Sequence, residues 1–294
     1  MIKLLILSIL SINTCFAYDV GMLTKYGSSS EKYSFKSDDK QIHYEANPHT
    51  DIALIFLGDR YSFGLQYSIE DEDDGDHLES GKSNFSFTFF SETFITEFYF
   101  NEFQDYYIQN DLDEINDTKS SEVLGGNSIG FSTLFYLDGT KIQSIHGDYI
   151  LKPETGMGQF YNFVIEHAEM QSSDSLIPQK YQSEFDQLKN FKKLSIDSIQ
   201  TQVGLSFLKA WDYIYLNSSL MLGPSFDSQM LVGDSKESKM MISAVGEAFF
   251  GLAYYNDEFQ FGLRTRRSLK KYAIRNSELD LSRIDSYVFM SLSF

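Results

Sequence analysis

Tyr287-Val-Phe-Met-Ser-Leu-Ser-Phe294 closes the chain on an alternation, with Val288, Met290, Leu292 and Phe294 on one face. A period of two is the side-chain period of a β-strand, whose successive residues point to opposite sides of a sheet. The segment therefore reads as a C-terminal strand presenting a continuous apolar stripe.

The same pattern recurs upstream. Tyr61, Phe63, Leu65, Tyr67 and Ile69 alternate with Ser62, Gly64, Gln66, Ser68 and Glu70. Phe85, Phe87 and Phe89 alternate with Asn84, Ser86 and Thr88, and Val203, Leu205 and Phe207 with Gln202, Gly204 and Ser206. One face is built of Phe, Tyr and Leu and the other of Gly, Ser and Gln. That division fits a barrel with lipid outside and a polar interior. A soluble periplasmic barrel with its apolar face inward would also alternate, but a last strand ending in Phe is the usual finish of bacterial outer-membrane barrels.

The N-terminus agrees with that address. Met1-Ile-Lys3 is a short basic region, Leu4–Ile12 an apolar one, and Cys15-Phe-Ala17 a small-residue-ended cleavage site, so residues 1–17 read as a signal peptide and 18–294 as one barrel domain. Ile12-Asn13-Thr14 is a poor lipobox, which argues against cleavage and lipidation at Cys15. With Cys15 removed the mature chain has no cysteine, and thiol or disulfide chemistry drops out. No later stretch reaches the roughly 18 consecutive apolar residues of a membrane helix. Aromatics make up 16% of residues and proline only four, a balance suited to strands. The formal charge of −18 excludes nucleic acid, whose phosphates require a basic surface.

These readings give an all-β, antiparallel transmembrane β-barrel of about twelve strands within a range of ten to fourteen, since about 9–11 residues suffice for a tilted crossing. The first expected strand is 51–57 and the last 284–294, one lies at 141–150, and 31–45 offers a further one. Gly58-Asp-Arg60, Asp138-Gly-Thr140 and Asn256-Asp-Glu258 are turns, and 71–81, 105–124, 169–195, 225–239 and 268–283 are longer connections. The alternation slips phase around 151–195, which implies a miscounted strand or an unusually long connection on the short-turn side. Apolar residues at 181, 185, 188, 191 and 194 have helical spacing and predict a short amphipathic helix over the barrel mouth or on the membrane plane.

Four short pieces in order, Tyr44-Glu-Ala-Asn-Pro48, Phe103-Gln-Asp-Tyr-Tyr-Ile-Gln-Asn110, Glu154-Thr-Gly-Met-Gly158 and Asp174-Ser-Leu-Ile-Pro178, resemble the bacterial family termed domain of unknown function 4421. The resemblance spans nearly the whole mature chain and implies an outer-membrane barrel. Gln104-Asp-Tyr-Tyr107 and Thr155-Gly-Met-Gly158 depart from the family's usual Lys-Gly-Phe-Tyr and Ser-Ala-Gly-Ser. The family brings no established activity with it.

No catalytic, cofactor-binding or metal-ligating set emerges from the residues, and no cofactor is expected. Of five histidines, only His146 has a suggestive neighbour, Ser144 on the same strand face, and strand serines are abundant enough to make that coincidence ordinary. The acidic run Glu70–Asp76, extended by Glu79, lacks calcium-loop spacing because Gly75 falls too early, and reads as a solvated loop. Gly125-Gly126 and the pair 156 and 158 read as bulges or bends, since no helix follows to make a phosphate cradle. Arg264, Arg266, Arg267, Lys270 and Lys271 form the one basic cluster, at a membrane edge or against anionic lipid.

Three functions fit: a narrow, porin-like channel or small-solute and ion transport protein, favoured because Glu97, Gln200, Gln202, Glu247, Gln260 and Arg264 would face a lumen; a lipid-acting enzyme; and a structural or adhesion barrel with a plugged lumen. If acidic groups line the path, small cation-selective conductance steps are expected. The expected partners are outer-membrane lipids and lipopolysaccharide, together with the barrel-assembly machinery through the strand ending at Phe294, and the expected location is the bacterial outer membrane.

Overall fold

A computed structural model describes residues 21–37, 40–45, 49–57, 61–70, 81–91, 93–109, 124–137, 153–183, 185, 188–256, 258–274 and 277–293. Thirteen extended segments follow one another: β1 (Gly21–Ser37), β2 (Lys40–Glu45), β3 (His49–Leu57), β4 (Tyr61–Glu70), β5 (Gly81–Phe90), β6 (Phe94–Gln109) and β7 (Leu124–Tyr136). Then come β8 (Gly156–Ser172), β9 (Phe191–Ala210), β10 (Ile214–Gly233), β11 (Lys236–Tyr255), β12 (Phe259–Ile274) and β13 (Ser277–Ser293). All pair antiparallel with their neighbours, and β13 returns to β1 from Gly21↔Ser293 to Lys36↔Glu278. The sheet closes on itself, as a bilayer requires, because a free edge would leave backbone donors and acceptors unpaired in hydrocarbon.

The closed barrel has twelve strands because β2 and β3 are two halves of one. Both lie beside β1, β2 against Lys32–Ser37 and β3 against Gly21–Ser29. The sequence between them contains Pro48, which has no N–H for a ladder. Below the break, β3 pairs with β4; above it, β2 pairs with β6 through His43↔Gln109, Tyr44↔Ile108 and Glu45↔Tyr107. The barrel is thus twelve strands round at the end holding both termini. It narrows to ten at the opposite, loop-bearing end, where β3, β4 and β5 have dropped out of the ring.

The faces divide as the alternation implies. Leu65, Phe87, Phe131, Val203, Leu222 and Leu263 point outward and exposed, part of an apolar belt around the wall. Ser62, Gln200, Gln202, Ser206 and Ser291 point inward and are buried. Above the belt the outer face turns charged, with His167 and Asp197 2.7 Å apart and Lys193 and Glu169 2.5 Å apart.

Several expectations change. The residues expected to connect strands at 225–239 and 268–283 are instead mostly strand: β10 and β11 meet across 234–235, and β12 and β13 across 275–276. They rise beyond the apolar belt, where the outward face turns polar, so the lipid-facing half of the alternation is lost even where inward Leu231, Tyr272 and Leu279 are buried in the mouth. The first strand is β1, ahead of the expected 51–57. Residues 105–109, expected to open the 105–124 connection, are the end of β6. The candidate strand 141–150 lies outside the described residues, and β7 pairs directly with β8 from Leu124↔Ser172 to Tyr136↔Phe160. The phase slip therefore marks a long connection, 137–155, on the side of the short turns 58–60, 211–213 and 256–258.

Closure predicts that unheated protein migrates differently from boiled protein on a denaturing gel, because detergent does not open a ladder without edges. Identical migration at all temperatures would contradict a closed barrel.

Candidate functional site

The inward faces enclose a cavity of about 380 Å³ at mid-barrel. One wall, from β4, β5 and β7, is small and neutral: Ser62, Gln66, Asn84, Ser86, Ser128 and Ser132. The other, from β8, β11, β12 and β13, is charged. There Arg266 Nη2 donates to Glu247 Oε2 at 2.7 Å, Lys270 donates to Glu166 Oε2, and Arg283 Nε donates to Asp285 Oδ1 at 2.9 Å. Gln200 Nε2 also donates to Glu166 Oε2, at 3.0 Å, so that carboxylate, only 6% exposed, has two donors on one oxygen. Gly130 gives Tyr99 its place: a Cβ there would lie 2.3 Å from the Tyr99 ring, which folds against the backbone of β7.

An apolar lid closes the cavity toward the loop end. The connection between β8 and β9 turns into the barrel mouth and buries Leu176, Ile177, Phe185 and Leu188 among Phe35, Ile42, Phe103, Met170, Tyr272 and Leu279. Polar bonds add to the hold: Tyr44 Oη donates to the Leu176 carbonyl at 2.8 Å, Ser175 Oγ to the Lys189 carbonyl at 2.7 Å, and the Leu176 N–H to the Phe191 carbonyl at 2.7 Å. The helical spacing expected from Tyr181 onward is realised as one 3-10 turn, Gln179–Tyr181, followed by turns, with strand from Phe191. A helix this short is not self-supporting, and β9 claims Phe191 and Leu194. The expected position over the mouth is correct, and the expected membrane-plane alternative is not.

Toward the termini the lumen narrows around Arg264, which is 2% exposed. Its guanidinium stands 4.4 Å over the Phe289 ring and 5.7 Å from Phe249, and Nη2 donates to Tyr215 Oη at 3.3 Å. Tyr215 Oη in turn donates to Gln260 Oε1 at 3.3 Å. Leu23, Ile55, Leu208 and Ala253 complete this layer. The layer also holds polar atoms: Asn217 Oδ1 and Nδ2, Ser219 Oγ and Ser291 Oγ are buried with no hydrogen-bond partner among the described residues. The termini side is thus a close-packed layer with polar atoms inside it, whereas the loop side is an apolar seal.

All six residues assigned to a lumen from sequence do point inward: Glu97, Gln200, Gln202 and Glu247 at the cavity, Gln260 and Arg264 below it. The basic cluster is split by the strand period. Arg264, Arg266 and Lys270 are inside, while Arg267 and Lys271 alternate outward and are exposed. Ser144, His146, the acidic run beyond Glu70, the signal segment and Phe294 lie outside the described residues. A Ser–His contact not foreseen is Ser34 Oγ to His43 Nδ1, 2.7 Å, on the outer rim. Ser34 is only 5% exposed and the adjacent Asp280 is engaged by Lys36, so the contact reads as a rim hydrogen bond between β1 and β2. Among the described residues no three His, Cys, Asp or Glu side chains gather as a metal site.

No family model matches the chain. No curated protein matches it in sequence. Among solved structures it is similar to the outer membrane protease OmpT of Escherichia coli, with TM-score 0.41, 7% identity, and 95% of this chain and 99% of that one covered. It is also similar to the toluene transporter TodX of Pseudomonas putida, with TM-score 0.33, 8% identity, and 96% and 91% covered. The attachment invasion locus protein Ail of Yersinia pestis follows, with TM-score 0.25, 8% identity, and 93% and 99% covered.

Proposed function

We propose that this barrel sits in the bacterial outer membrane and passes small polar solutes or ions through a lumen gated at its loop end. One observation carries the reading: a charged cavity of about 380 Å³ lies between an apolar lid and a tight layer of aromatic and polar side chains around Arg264. A barrel built only as a rigid anchor has no use for paired charges around open space, and a passive pore would not be sealed by a dry layer. Hydrophobic constrictions stop ions by excluding water, and charged residues at the narrowest point set selectivity. Residues 1–17 act as the export signal in this reading, and the strand ending at Phe294 is presented to the assembly machinery. The outward Arg267 and Lys271 meet phosphates of outer-leaflet lipid or lipopolysaccharide. Membership of domain of unknown function 4421 belongs to the same proposal and rests on the four quoted motifs.

The constriction supplies the test. Arg264 places a positive charge where every permeating ion passes, opposing the acidic cavity above it. Arg264→Gln should shift the reversal potential of open channels toward cations, with the cation-to-anion permeability ratio rising roughly two- to fivefold, the scale of one partly screened charge. An unchanged ratio in conducting channels would place the ion path elsewhere.

A further inference from the structure

A second recess opens on the outer wall, on the lipid-facing side of β3 to β6. It is a groove of about 480 Å³ flanked by Ile52, Leu54, Leu65, Tyr67, Phe85 and Phe100. Its origin lies in the register. Ile52 stands opposite Tyr67, Tyr67 opposite Ser83 and Ser83 opposite Glu102, so the outward row Ile52–Tyr67–Ser83–Glu102 drops to a hydroxymethyl between larger side chains. The row below, Leu54–Leu65–Phe85–Phe100, is large throughout and makes the floor's far edge.

The β4–β5 ladder also ends at Tyr67↔Ser83. Beyond it, β4 continues against β3 as far as His49↔Glu70, and β5 begins against β6 at Gly81↔Gln104. The two strands fork just where the ring drops from twelve strands toward ten. At the fork, Gln66, Asn84 and Phe85 line both the outer groove and the inner cavity. The wall there is one side chain thick. Asn84 Oδ1 is buried at this place with no hydrogen-bond partner among the described residues. An unpaired acceptor in such a setting costs free energy until a donor reaches it.

We propose that this fork is a lateral binding site for a single-chain amphiphile with a primary amine head. Its alkyl chain lies in the groove and its head donates to Asn84 from the cavity side. The groove faces the hydrocarbon of the bilayer, so a chain is the matching occupant, and its size falls within the range of small-ligand sites. The head follows from charge: among the described residues on its inward faces, Glu31, Asp51, Glu97, Glu166, Glu247 and Asp285 are acidic against the basic Lys25, Arg266, Lys270 and Arg283. An ammonium is favoured there, and it has the donors that Asn84 lacks. The inference uses the membrane placement of the barrel but not the gate, and it stands or falls separately from conduction.

Tryptophan quenching in vesicles tests it. The chain has one tryptophan, Trp211, so Trp211→Phe gives a silent background. Into it go Phe100→Trp as the groove reporter and Leu220→Trp, on the exposed face of β10, as the control. Phosphatidylcholine vesicles are doped at equal bromine content with a chain-brominated dodecylamine, the methyl ester of a chain-brominated acid, or a chain-brominated phosphatidylcholine. The amine should quench the groove reporter roughly two- to tenfold more effectively than the ester does, the range one hydrogen bond sets. The control should not distinguish the three, and Asn84→Ala should abolish the amine's advantage. Equal quenching of both reporters by all probes would overturn the site. Selective quenching of the groove reporter by phosphatidylcholine would overturn the single-chain amine and leave an ordinary bilayer lipid there. Leu54→Trp serves as a second groove reporter should Phe100→Trp fail to show the heat-dependent gel shift of folded protein.

Discussion

Replacing Leu176 and Phe185 together by serine should turn a barrel that is closed for most of the time in planar bilayers into one that conducts steadily. Both side chains are essentially fully buried in the mouth, at 0% and 2% exposure. Burying a residue of that size contributes roughly 1.5–3 kcal/mol. The bonds from Tyr44 and Ser175 that remain contribute about 0.5–1.5 kcal/mol each. Losing two of the four buried apolar anchors therefore removes about half of the apolar hold on the lid, and leaves hydroxyls that hold water where the dry layer had excluded it. The strand ladder is untouched, so the heat-dependent gel shift should persist. Gln179→Ser, an exposed position on the same connection, should leave the closed state as it was. A correctly folded double variant that stays silent would mean the constriction around Arg264, and not the lid, closes the lumen, and the gate proposed at the loop end would be wrong.

How much of this was legible in the chain follows from where each residue meets a two-sided contrast. Tyr61 to Tyr67 and Ile199 to Phe207 have lipid on one face and polar lumen on the other, and their inward and outward assignments are those of the structure. Ser225 to Val232 and Lys236 to Met240 are as regularly paired in β10 and β11, but they stand above the belt, where the outer face also meets water. The pattern that identifies a strand is lost there although the strand continues. β2 and β3 show the converse: the residues of 31–45 were recognisable as extended, but that β2 and β3 share one place beside β1 follows from pairing partners far along the chain.

The site divides in the same way. A period of two is enough to send Glu97, Gln202 and Glu247 inward, and the same rule splits Arg266 from Arg267, which reading them as one basic cluster had hidden. What period cannot give is depth. Arg264 and Arg266 are two residues apart on one face, yet the first is enclosed by Phe289 and Tyr215 while the second keeps half its side chain exposed in the cavity. The lid was visible as apolar spacing, but its inward docking depends on a mouth lined by Phe35, Ile42 and Leu279, residues remote in sequence that β1, β2 and β13 bring together.

Removing one partner of the Glu166–Lys270 pair should produce the largest loss of stability available from a single lumen residue. Lys270 Nζ reaches Glu166 Oε2 across the interior between β12 and β8, strands that are not neighbours in the sheet, so the pair ties opposite parts of the wall together. Glu166 is 6% exposed, and Lys270 keeps about a quarter of its side chain open, 26%. Lys270→Met would leave the carboxylate with Gln200 Nε2 as its donor at 3.0 Å and without its paired cation. A buried charge stripped of its partner typically costs about 3–5 kcal/mol, and the open side of Lys270 lets water recover part of that. The temperature at which the folded gel band disappears should fall clearly in Lys270→Met. It should recover most of the way in Lys270→Met with Glu166→Gln, because a neutral amide of the same shape has no charge to desolvate and still meets Gln200. A double variant as unstable as the single one would show that the shape of the Lys270 stem, packed beside Tyr272, matters more than the charge it carries.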